Sequence, residues 1–336
     1  MKILLVSFEE ELMSLRYLAS ALKKSDHTVS VFVEPALFND SQLIISNALN
    51  RIFNMDYLFV KKLSDFNPDI VAFSVVTDYF INALNYAKII KKFNKNTERD
   101  IKTLFGGIHV TSVPKKVIMY DEIDYICVGE GEGAIVELAD KMQKGGNIKN
   151  IKNIWLKDGG RIIKNPVRPL ISNLDELGFP DIDLYREAFP PSNYNYATIT
   201  SRGCIYQCTY CSNYIYKKII YKNEKNFFRR HSVEHVIAEL RLIKERYNPK
   251  LIRFHDDDFV HDKKWFKKFV SLYKKEINIP YSCWVNPNSI DEEVVKLLKQ
   301  SECCEVEMGV QTIYPKTRKN ILDRHMTNNK IKEAIR

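Results

Sequence analysis

Apolar and polar positions in the first part of the chain alternate between two kinds of segment. Short, nearly continuous apolar runs, such as Lys2–Phe8 and Ile70–Val76, are typical of strands that are buried on both faces. Between them lie longer segments with helical periodicity, such as Leu12–Lys24 and Ala83–Phe93. Buried strands separated by helices predict a parallel sheet with right-handed crossovers. We therefore predict an α/β fold that begins with a doubly wound domain, whose ligands bind at the carboxyl ends of the strands.

The pattern changes after this first domain. Residues Ile154–Ile163 predict a hairpin, because an Asp-Gly pair separates two apolar segments. Prolines then interrupt an irregular segment at positions 166, 169, 180, 190 and 191. We interpret residues 146–192 as a hairpin and Pro-rich linker between a domain of residues 1–145 and a second domain of residues 193–336.

A second alternation of strands and helices follows the linker. It predicts four successive β/α units, with strands at Tyr196–Ser201, Leu251–His255, Tyr281–Val285 and Glu305–Val310. A β/α barrel normally needs more units than four to close. The chain also stops at Arg336, inside the fourth predicted helix and without a cap. We therefore expect a partial barrel in a chain that is a fragment of a longer protein.

Composition excludes several classes of protein. The 336 residues are 45% hydrophobic and 28% charged, as in ordinary globular proteins. No apolar run approaches the ~20 residues of a membrane helix, and the N-terminus lacks the features of a signal peptide, so we expect a cytoplasmic protein. The net charge of +9 comes mostly from Lys spread along predicted helices. That charge alone does not indicate a nucleic-acid partner.

Three of the seven cysteines lie within eight residues of one another, at Cys204, Cys208 and Cys211. An odd number of cysteines without secretory features argues against a disulfide framework. The Cys-x3-Cys-x2-Cys spacing follows the first strand of the second domain, and three thiolates can ligate three irons of a 4Fe-4S cluster. A structural zinc site is the alternative, and it would need a fourth protein ligand. The remaining candidates for that ligand, which are otherwise core thiols, are Cys283, Cys303 and Cys304.

The segment from Thr200 to Asn213 resembles the signature loop of radical S-adenosylmethionine (SAM) enzymes. The resemblance implies that the three clustered cysteines hold a 4Fe-4S cluster and that SAM binds its open iron. It also implies that Tyr210, directly before the last cysteine, lies near the adenine of SAM. No catalytic residue beyond the cluster ligands is assigned.

The same resemblance implies further SAM contacts. The family places polar residues after the second strand of this domain, near the SAM amino group, and here that position holds Asp256, Asp257 and Asp258. After the fourth strand, Gln311 stands where the family often has Glu near the ribose. The acidic triplet could instead form a solvated turn or bind a hard metal ion.

Two glycine-rich turns follow successive strands of the first domain. Glycine lets the backbone approach a bulky ligand, and free N–H groups can bind it. In this order, upstream of the cysteine loop, the turns resemble the cobalamin-binding domain of cobalamin-dependent radical SAM proteins. The resemblance gives these cobalamin-pocket candidates: Ser74, Thr77, Gly106, Gly107, His109, Gly129, Glu130 and Gly131. The Asp-x-His-x-x-Gly motif that supplies a cobalt ligand in some cobalamin proteins is missing from Ser7–Leu12.

The resemblance implies a radical SAM enzyme that cleaves SAM reductively and transfers a methyl group, with the help of cobalamin, to an unactivated carbon or phosphorus. The expected partners are a small-molecule substrate or biosynthetic intermediate and an electron donor such as flavodoxin or ferredoxin. A cyclase or rearrangement enzyme, with or without cobalamin, and a non-catalytic cobalamin- or metal-binding protein are the alternatives. An RNA methylthiotransferase would need a second set of cluster cysteines in the first domain, where Cys127 stands alone. We therefore expect neither nucleic acid nor a membrane as a partner.

Overall fold

The chain divides into two compact units in the computed structural model, which describes residues 1–8, 12–35, 53–186 and 195–336. The first unit spans Met1–Pro169 and Pro180–Phe189, and the second spans Leu170–Phe179 and Pro190–Arg336. The ten residues 170–179, which the sequence suggested as linker, therefore belong to the second unit.

The first unit is built on a seven-stranded sheet in the order β2-β1-β3-β4-β5-β6-β7. Its strands are β1 Lys2–Phe8, β2 Thr28–Glu34, β3 Ile70–Ser74, β4 Lys102–Gly106, β5 Tyr125–Cys127, β6 Ile154–Asp158 and β7 Arg161–Lys164. The first five strands in sequence are parallel, while β5–β6 and β6–β7 pair antiparallel. The predicted doubly wound domain is confirmed, and the order 2-1-3-4-5 places its switch point between β1 and β3.

Helices cover this sheet with apolar stripes. They are α1 Met13–Lys24, α2 Asp56–Phe66, α3 Phe80–Thr97, α4 Ile108–Ser112, α5 Pro114–Val117 and α6 Glu132–Gln143. Strand β1 is buried from Ile3 to Phe8, as its continuous apolar run predicted. Leu15, Ala19 and Leu22 recur every three or four residues along α1 and join the core beside Leu138 of α6. Packing of these faces leaves the carboxyl ends of the strands, and the loops that follow them, to form a ligand site.

The second unit contains a four-stranded parallel sheet in the order β13-β12-β11-β8. Its strands are β8 Asn195–Thr198, β11 Leu251–Phe254, β12 Tyr281–Val285 and β13 Cys303–Met308, and β9 Ser201–Arg202 pairs separately with β10 Arg229–Arg230. The helices are α7 Ser212–Ile215, α8 Val233–Tyr247, α9 Lys263–Glu276, α10 Glu292–Gln300, α11 Pro315–Asn320 and α12 Asn328–Ile335. Four parallel strands with intervening helices form the predicted partial barrel.

Capping side chains fix where the barrel helices begin. Ser232, Asp262 and Asp291 each accept a hydrogen bond from the backbone N–H three residues further on, at the first turns of α8, α9 and α10. Strand β13 begins two residues before the predicted start at Glu305, because a register shift between Tyr281 and the next residue lengthens its pairing with β12. Within the described part of the chain, no helix combines the length and the apolar character needed to cross a membrane.

Candidate active site

The three clustered cysteines line one cavity beyond the carboxyl ends of the barrel strands. The cavity has a volume of about 380 Å³, and Cys204, Cys208 and Cys211 all contribute to its wall. All three are free thiols. Because the loop that carries them follows β8, the parallel sheet presents them at the edge where ligands bind in folds of this type.

The donor set of this loop fits an iron–sulfur cluster better than a single zinc ion. A tetrahedral site with Zn–S bonds of about 2.3 Å brings its sulfurs to about 3.8 Å from one another. Among the described residues, the only set of three metal-ligating side chains whose donor atoms all lie within 4.8 Å consists of Asp175, His231 and His235, not the cysteines. Two of the three candidates for a fourth zinc ligand, Cys303 and Cys304, line a separate cavity of about 710 Å³. The three thiols are thus not gathered as closely as a single zinc ion requires, whereas a 4Fe-4S cluster can be held by three thiolates.

Burial controls the protonation of the first thiol and of the neighbouring phenol. Loss of hydration raises the pKa of Cys204 to about 12, so this side chain is a neutral thiol until a metal displaces its proton. Burial likewise raises the pKa of Tyr210 to about 12. Tyr210 also lines the cavity, where the resemblance places the adenine of SAM.

The acidic triplet after β11 separates into three different environments. Asp257 is solvent-accessible, lines the cavity and accepts a hydrogen bond of 2.9 Å from Asn213 Nδ2. Asp256 is buried and accepts hydrogen bonds from Thr200, through its amide and its hydroxyl. Asp258 is buried and accepts from the Asn286 amide and the hydroxyl of Ser289. Of the three carboxylates, the structure therefore presents only Asp257 to the cavity.

Desolvation shifts the pKa values of two of these carboxyl groups. Partial desolvation in the cavity wall raises the pKa of Asp257, although the hydrogen bond from Asn213 opposes the shift. Burial also raises the pKa of Asp258, against the hydrogen bonds from Ser289 and Asn286. A cationic ligand near Asp257 would offset this desolvation, because an opposite charge favours the ionised carboxylate.

The cavity wall also contains Gln311 and Arg324, and no motif in the sequence marks Arg324 as a site residue. Arg324 Nη2 donates to the Gly309 carbonyl at 2.6 Å. Its Nη1 atom lies 3.2 Å from Tyr210 Oη and 3.6 Å from Cys208 Sγ. A guanidinium here supplies the positive charge that a carboxylate ligand needs.

The cobalamin-pocket candidates lie at the carboxyl edge of the first unit's parallel sheet. Gly107, after β4, has φ 89° and ψ −173°, a conformation open essentially only to glycine. A Cβ atom at this position would lie 2.5 Å from the Val75 amide nitrogen, which shows how closely the loops after β3 and β4 approach. Beside them, His109 stacks on Phe80 with ring centroids 4.4 Å apart, and its Nδ1 lies 3.1 Å from Thr77 Oγ1.

The remaining candidates occupy adjacent loops of the same edge. Ser74 ends β3 and its hydroxyl lies 3.2 Å from that of Ser14. The Gly129 amide donates to Thr111 Oγ1 at 3.1 Å, and the Glu130 carbonyl accepts from Asn153 at 3.1 Å. Gly131 begins helix α6 and Gly106 ends β4. Peptide groups and small side chains at one sheet edge fit a large planar cofactor. At the same edge, burial lowers the pKa of His109, which favours a neutral imidazole.

The Asp175, His231 and His235 group has the geometry of a hydrogen-bonded clamp. His231 Nδ1 and the Ser232 amide each lie 3.0 Å from Asp175 Oδ1. The two imidazoles stack at 4.5 Å with an interplanar angle of 12°, so one ion cannot lie in the planes of both rings, where their lone pairs point. Asp175 thereby attaches the Leu174–Leu177 turn to the first turn of α8, within the second unit.

Comparison with known families agrees with both halves of this architecture. The B12 binding domain family matches residues 3–139, and the Radical SAM superfamily matches residues 198–336. The chain therefore combines a B12 binding domain with a Radical SAM domain. The first family implies cobalamin, and the second implies a 4Fe-4S cluster and SAM.

Two curated relatives are methyltransferases by name. The chain is 30% identical to an uncharacterized methyltransferase of Pyrococcus horikoshii, over 90% of this chain and 61% of that protein. It is 24% identical to the cytidylyl-2-hydroxyethylphosphonate methyltransferase of Streptomyces wedmorensis, over 96% of this chain and 66% of that protein. The chain thus spans less than two thirds of the length of either relative.

Solved structures share the fold over the whole chain. The cobalamin-dependent SAM radical enzyme OxsB, with aqua-cobalamin and SAM bound, gives a TM-score of 0.78 at 18% identity, covering 100% of this chain and 47% of that one. The radical SAM methyltransferase TsrM from Kitasatospora setae, with tryptophan substrate and a SAM analogue bound, gives a TM-score of 0.73 at 16% identity. The match covers 99% of this chain and 64% of that one. At these identities the likeness establishes the fold.

Proposed function

We propose that this protein transfers a methyl group from SAM to an unactivated carbon or phosphorus atom of a small-molecule substrate. The single observation that supports this most is the cavity that collects Cys204, Cys208, Cys211, Asp257 and Arg324. When bound, the cluster supplies the electron that cleaves SAM, and cobalamin supplies a carrier for the methyl group. The protein supplies binding, orientation and the exclusion of competing reactions.

Cavity residues of opposite charge would bind the two charged groups of the methionyl moiety of SAM. The three thiolates would hold the cluster, and Asp257 would accept hydrogen bonds from the ammonium group of the methionyl moiety. Arg324, on the wall that also carries Gln311, would pair with the carboxylate. Tyr210 would pack against the adenine, and the Gln311 amide would bind the ribose hydroxyls. Asp256 and Asp258 support this arrangement from either side of Asp257, through hydrogen bonds inside the protein.

The first unit would bind cobalamin through the loops after β3, β4 and β5. Backbone amides at the glycine turns and the hydroxyls of Ser74 and Thr77 would donate to the polar side groups of the corrin. His109 already has Thr77 as a neighbour and Phe80 as a stacking partner, so it would line the pocket rather than approach as a free ligand. The name of the Streptomyces relative supports a phosphonate as one class of substrate.

An electron donor is a further requirement of this function. We propose a low-potential carrier such as flavodoxin or ferredoxin, because reductive cleavage consumes an electron that the chain itself does not supply. The free clustered thiols suit a reducing compartment such as the cytoplasm.

The test is to prepare the protein anaerobically with iron, sulfide and cobalamin, and to measure bound metals and the products formed from SAM. About four irons and one cobalt per chain are expected, the content of one 4Fe-4S cluster and one cobalamin. With a reductant, SAM should give 5′-deoxyadenosine and, only when cobalamin is present, S-adenosylhomocysteine. The Cys208→Ala variant should lose the iron, whereas Cys127→Ala, outside the loop, should retain it.

Two outcomes would contradict this function. Zinc in place of iron would remove radical chemistry altogether. 5′-Deoxyadenosine without S-adenosylhomocysteine at any cobalamin concentration would indicate a cyclase or rearrangement enzyme instead.

A further inference from the structure

A buried arginine, Arg230, lies at the base of the cysteine loop. Its side chain is only 6% exposed. The guanidinium carbon lies 3.6 Å from the ring centroid of Trp265 and 5.4 Å from that of Phe259. Burying a charge is costly unless the charge is paired and hydrogen-bonded. The position of this arginine therefore requires compensating partners.

Those partners connect Arg230 to the residues that precede the cluster ligands. Its Nε and Nη2 atoms donate to Thr200 Oγ1 at 3.0 and 2.9 Å, and Nη2 also donates to the Phe259 carbonyl at 2.7 Å. Because arginine only donates, the Thr200 hydroxyl must direct its own proton to another acceptor. That acceptor is Asp256 Oδ1, at 2.8 Å.

Asp256 completes the network by holding two consecutive residues of the loop. Both of its oxygens accept from the Thr200 amide, at 3.1 and 3.0 Å, and Oδ1 also accepts from the Ser201 hydroxyl. Arg230 Nη2 lies 3.9 Å from the same carboxylate, so the two buried charges compensate one another. The chain from Arg230 through Thr200 to Asp256 therefore fixes both the direction of the hydroxyl and the position of the backbone.

This network ends directly before the first cluster cysteine. Ser201 pairs with Arg230 in the short antiparallel ribbon of β9 and β10. At Gly203 the chain turns with φ 81°, and a Cβ atom there would lie 2.4 Å from the Phe227 carbonyl oxygen. Between Thr200 and Cys204 the loop thus packs closely against Phe227.

We propose that Arg230 is a positioning residue for the cluster, acting through Thr200 and Asp256 on the orientation of Cys204 and hence on SAM binding at the open iron. The proposal rests on the proposed function, since it requires a cluster at the three cysteines. Outer partners of metal ligands orient those ligands, and their loss typically costs roughly 10–100-fold in metal affinity or activity. Without its arginine, Asp256 would be a buried carboxylate with no counter-charge, and the anchor would loosen.

The test compares Arg230→Gln with a matched neighbour. Arg229 is also buried, but its guanidinium donates to the carbonyls of Phe227 and Ile171. Each variant is loaded with iron and sulfide anaerobically. Iron content, SAM dissociation constant, electron paramagnetic resonance of the reduced cluster with SAM, and thermal midpoint are then measured.

We expect Arg230→Gln to weaken SAM binding by roughly 10–100-fold and to broaden the resonance of the SAM-bound cluster. Arg229→Gln should lower the thermal midpoint while leaving both cluster readouts near those of the parent. Thr200→Val should reproduce the effect of Arg230→Gln, whereas Thr200→Ser, which keeps the hydroxyl, should retain parental SAM binding. The threonine pair tests the network even where Arg230→Gln does not fold.

The positioning role is overturned if Thr200→Val, or a folded Arg230→Gln, binds SAM and iron as the parent does. It is also overturned if Arg229→Gln loses SAM affinity to the same extent, because the effect would then be general destabilisation. A parent protein that takes up no iron contradicts the proposed function itself, and that result is read before any variant is compared.

Discussion

Arg324 Nη1 lies 3.6 Å from Cys208 Sγ, within the range of an N–H donor to a cysteine sulfur. The same nitrogen lies 3.2 Å from Tyr210 Oη, and Nη2 is held by the Gly309 carbonyl at 2.6 Å. In the proposed function Cys208 ligates the cluster, and a cation beside this sulfur would stabilise the reduced cluster, which carries one more negative charge. Hydrogen bonds to the sulfurs and local charge are among the factors that set iron–sulfur potentials.

Replacing this arginine should therefore make the cluster harder to reduce. In Arg324→Gln we expect the midpoint potential of the proposed 4Fe-4S cluster to fall by tens of millivolts, because a charged donor to sulfur is lost. A redox titration followed by electron paramagnetic resonance measures the shift. Lys319→Gln, which removes an exposed charge from nearby α11, is the control and should leave the potential unchanged. An unchanged potential in Arg324→Gln would show that the contact with Cys208 has no electrostatic effect.

The contrast between Cys208 and Arg324 shows what the sequence could and could not predict. The spacing of the three cysteines predicts a metal or cluster site, because thiols that lie close together along one loop can reach a common centre, and the family resemblance implies a 4Fe-4S cluster there. Arg324 follows strand β13 after an irregular stretch and the short helix α11, and no periodicity or motif distinguishes it from the other basic residues there. Only the folded chain brings it to the cavity.

A similar limit applies to the acidic triplet and to the linker. The sequence placed Asp256, Asp257 and Asp258 at the correct edge of the sheet, but the direction of each side chain depends on distant donors such as Thr200 and Ser289. The prolines predict a linker that includes the turn at Asp175. The hydrogen bonds that join this turn to the start of α8 connect residues more than fifty positions apart, so the local sequence does not reveal them. The alternation of apolar segments predicts the fold class, whereas polar contacts between distant residues leave no local pattern in the sequence.

The turn after β4 offers a test of the first unit. Gly107→Ala should lower the free energy of unfolding by about 2–4 kcal/mol, because it adds a clash with Val75 to a backbone conformation that alanine avoids. Denaturant unfolding of the cofactor-free protein measures this change. Cobalamin retention should also fall, because the loops after β3 and β4 would separate.

Gly145→Ala is the matched control for this substitution. Gly145 also has a positive φ, of 63°, but among the described residues no atom beyond its chain neighbours lies within 4 Å of the Cβ position. We expect the free energy of unfolding of Gly145→Ala to fall by only about 1 kcal/mol, because the backbone conformation is then the only source of strain. Equal losses at the two glycines would contradict the close approach of the β3 and β4 loops.

The separate environments of two neighbouring carboxylates predict separable effects. Asp257→Asn should weaken SAM binding roughly tenfold, the equivalent of one charge-assisted hydrogen bond, with little change in stability. Asp258→Asn should instead lower the free energy of unfolding by about 1–3 kcal/mol, because Ser289 and the Asn286 amide lose a buried charged acceptor. Anaerobic calorimetry with SAM and urea unfolding measure the two quantities. The reverse pattern would assign Asp258, and not Asp257, to the cavity.

The clamp at His231 predicts a pH dependence of stability. Burial, reinforced by His235 and opposed by Asp175, lowers the pKa of His231 to about 4. In the unfolded chain the imidazole has a pKa near 6.5 and binds a proton more readily. The unfolded state therefore binds more protons between these two values, so stability is complete above pH 6.5 and declines as the pH falls. Between pH 7 and pH 5, the titration of this group alone should lower the free energy of unfolding by about 2 kcal/mol.

A single substitution separates this titration from that of other groups. His231→Gln removes the titrating imidazole, so its free energy of unfolding should be lower than the parent's at pH 7 but should fall less steeply toward pH 5. His325→Gln is the control, because the side chain of His325 is 60% exposed and should leave the parental slope unchanged. Urea unfolding of the cluster-free protein at several pH values measures both slopes. If His231→Gln retains the parental slope, the acid sensitivity of the protein arises from carboxylates, and the buried imidazole at the base of α8 does not contribute to it.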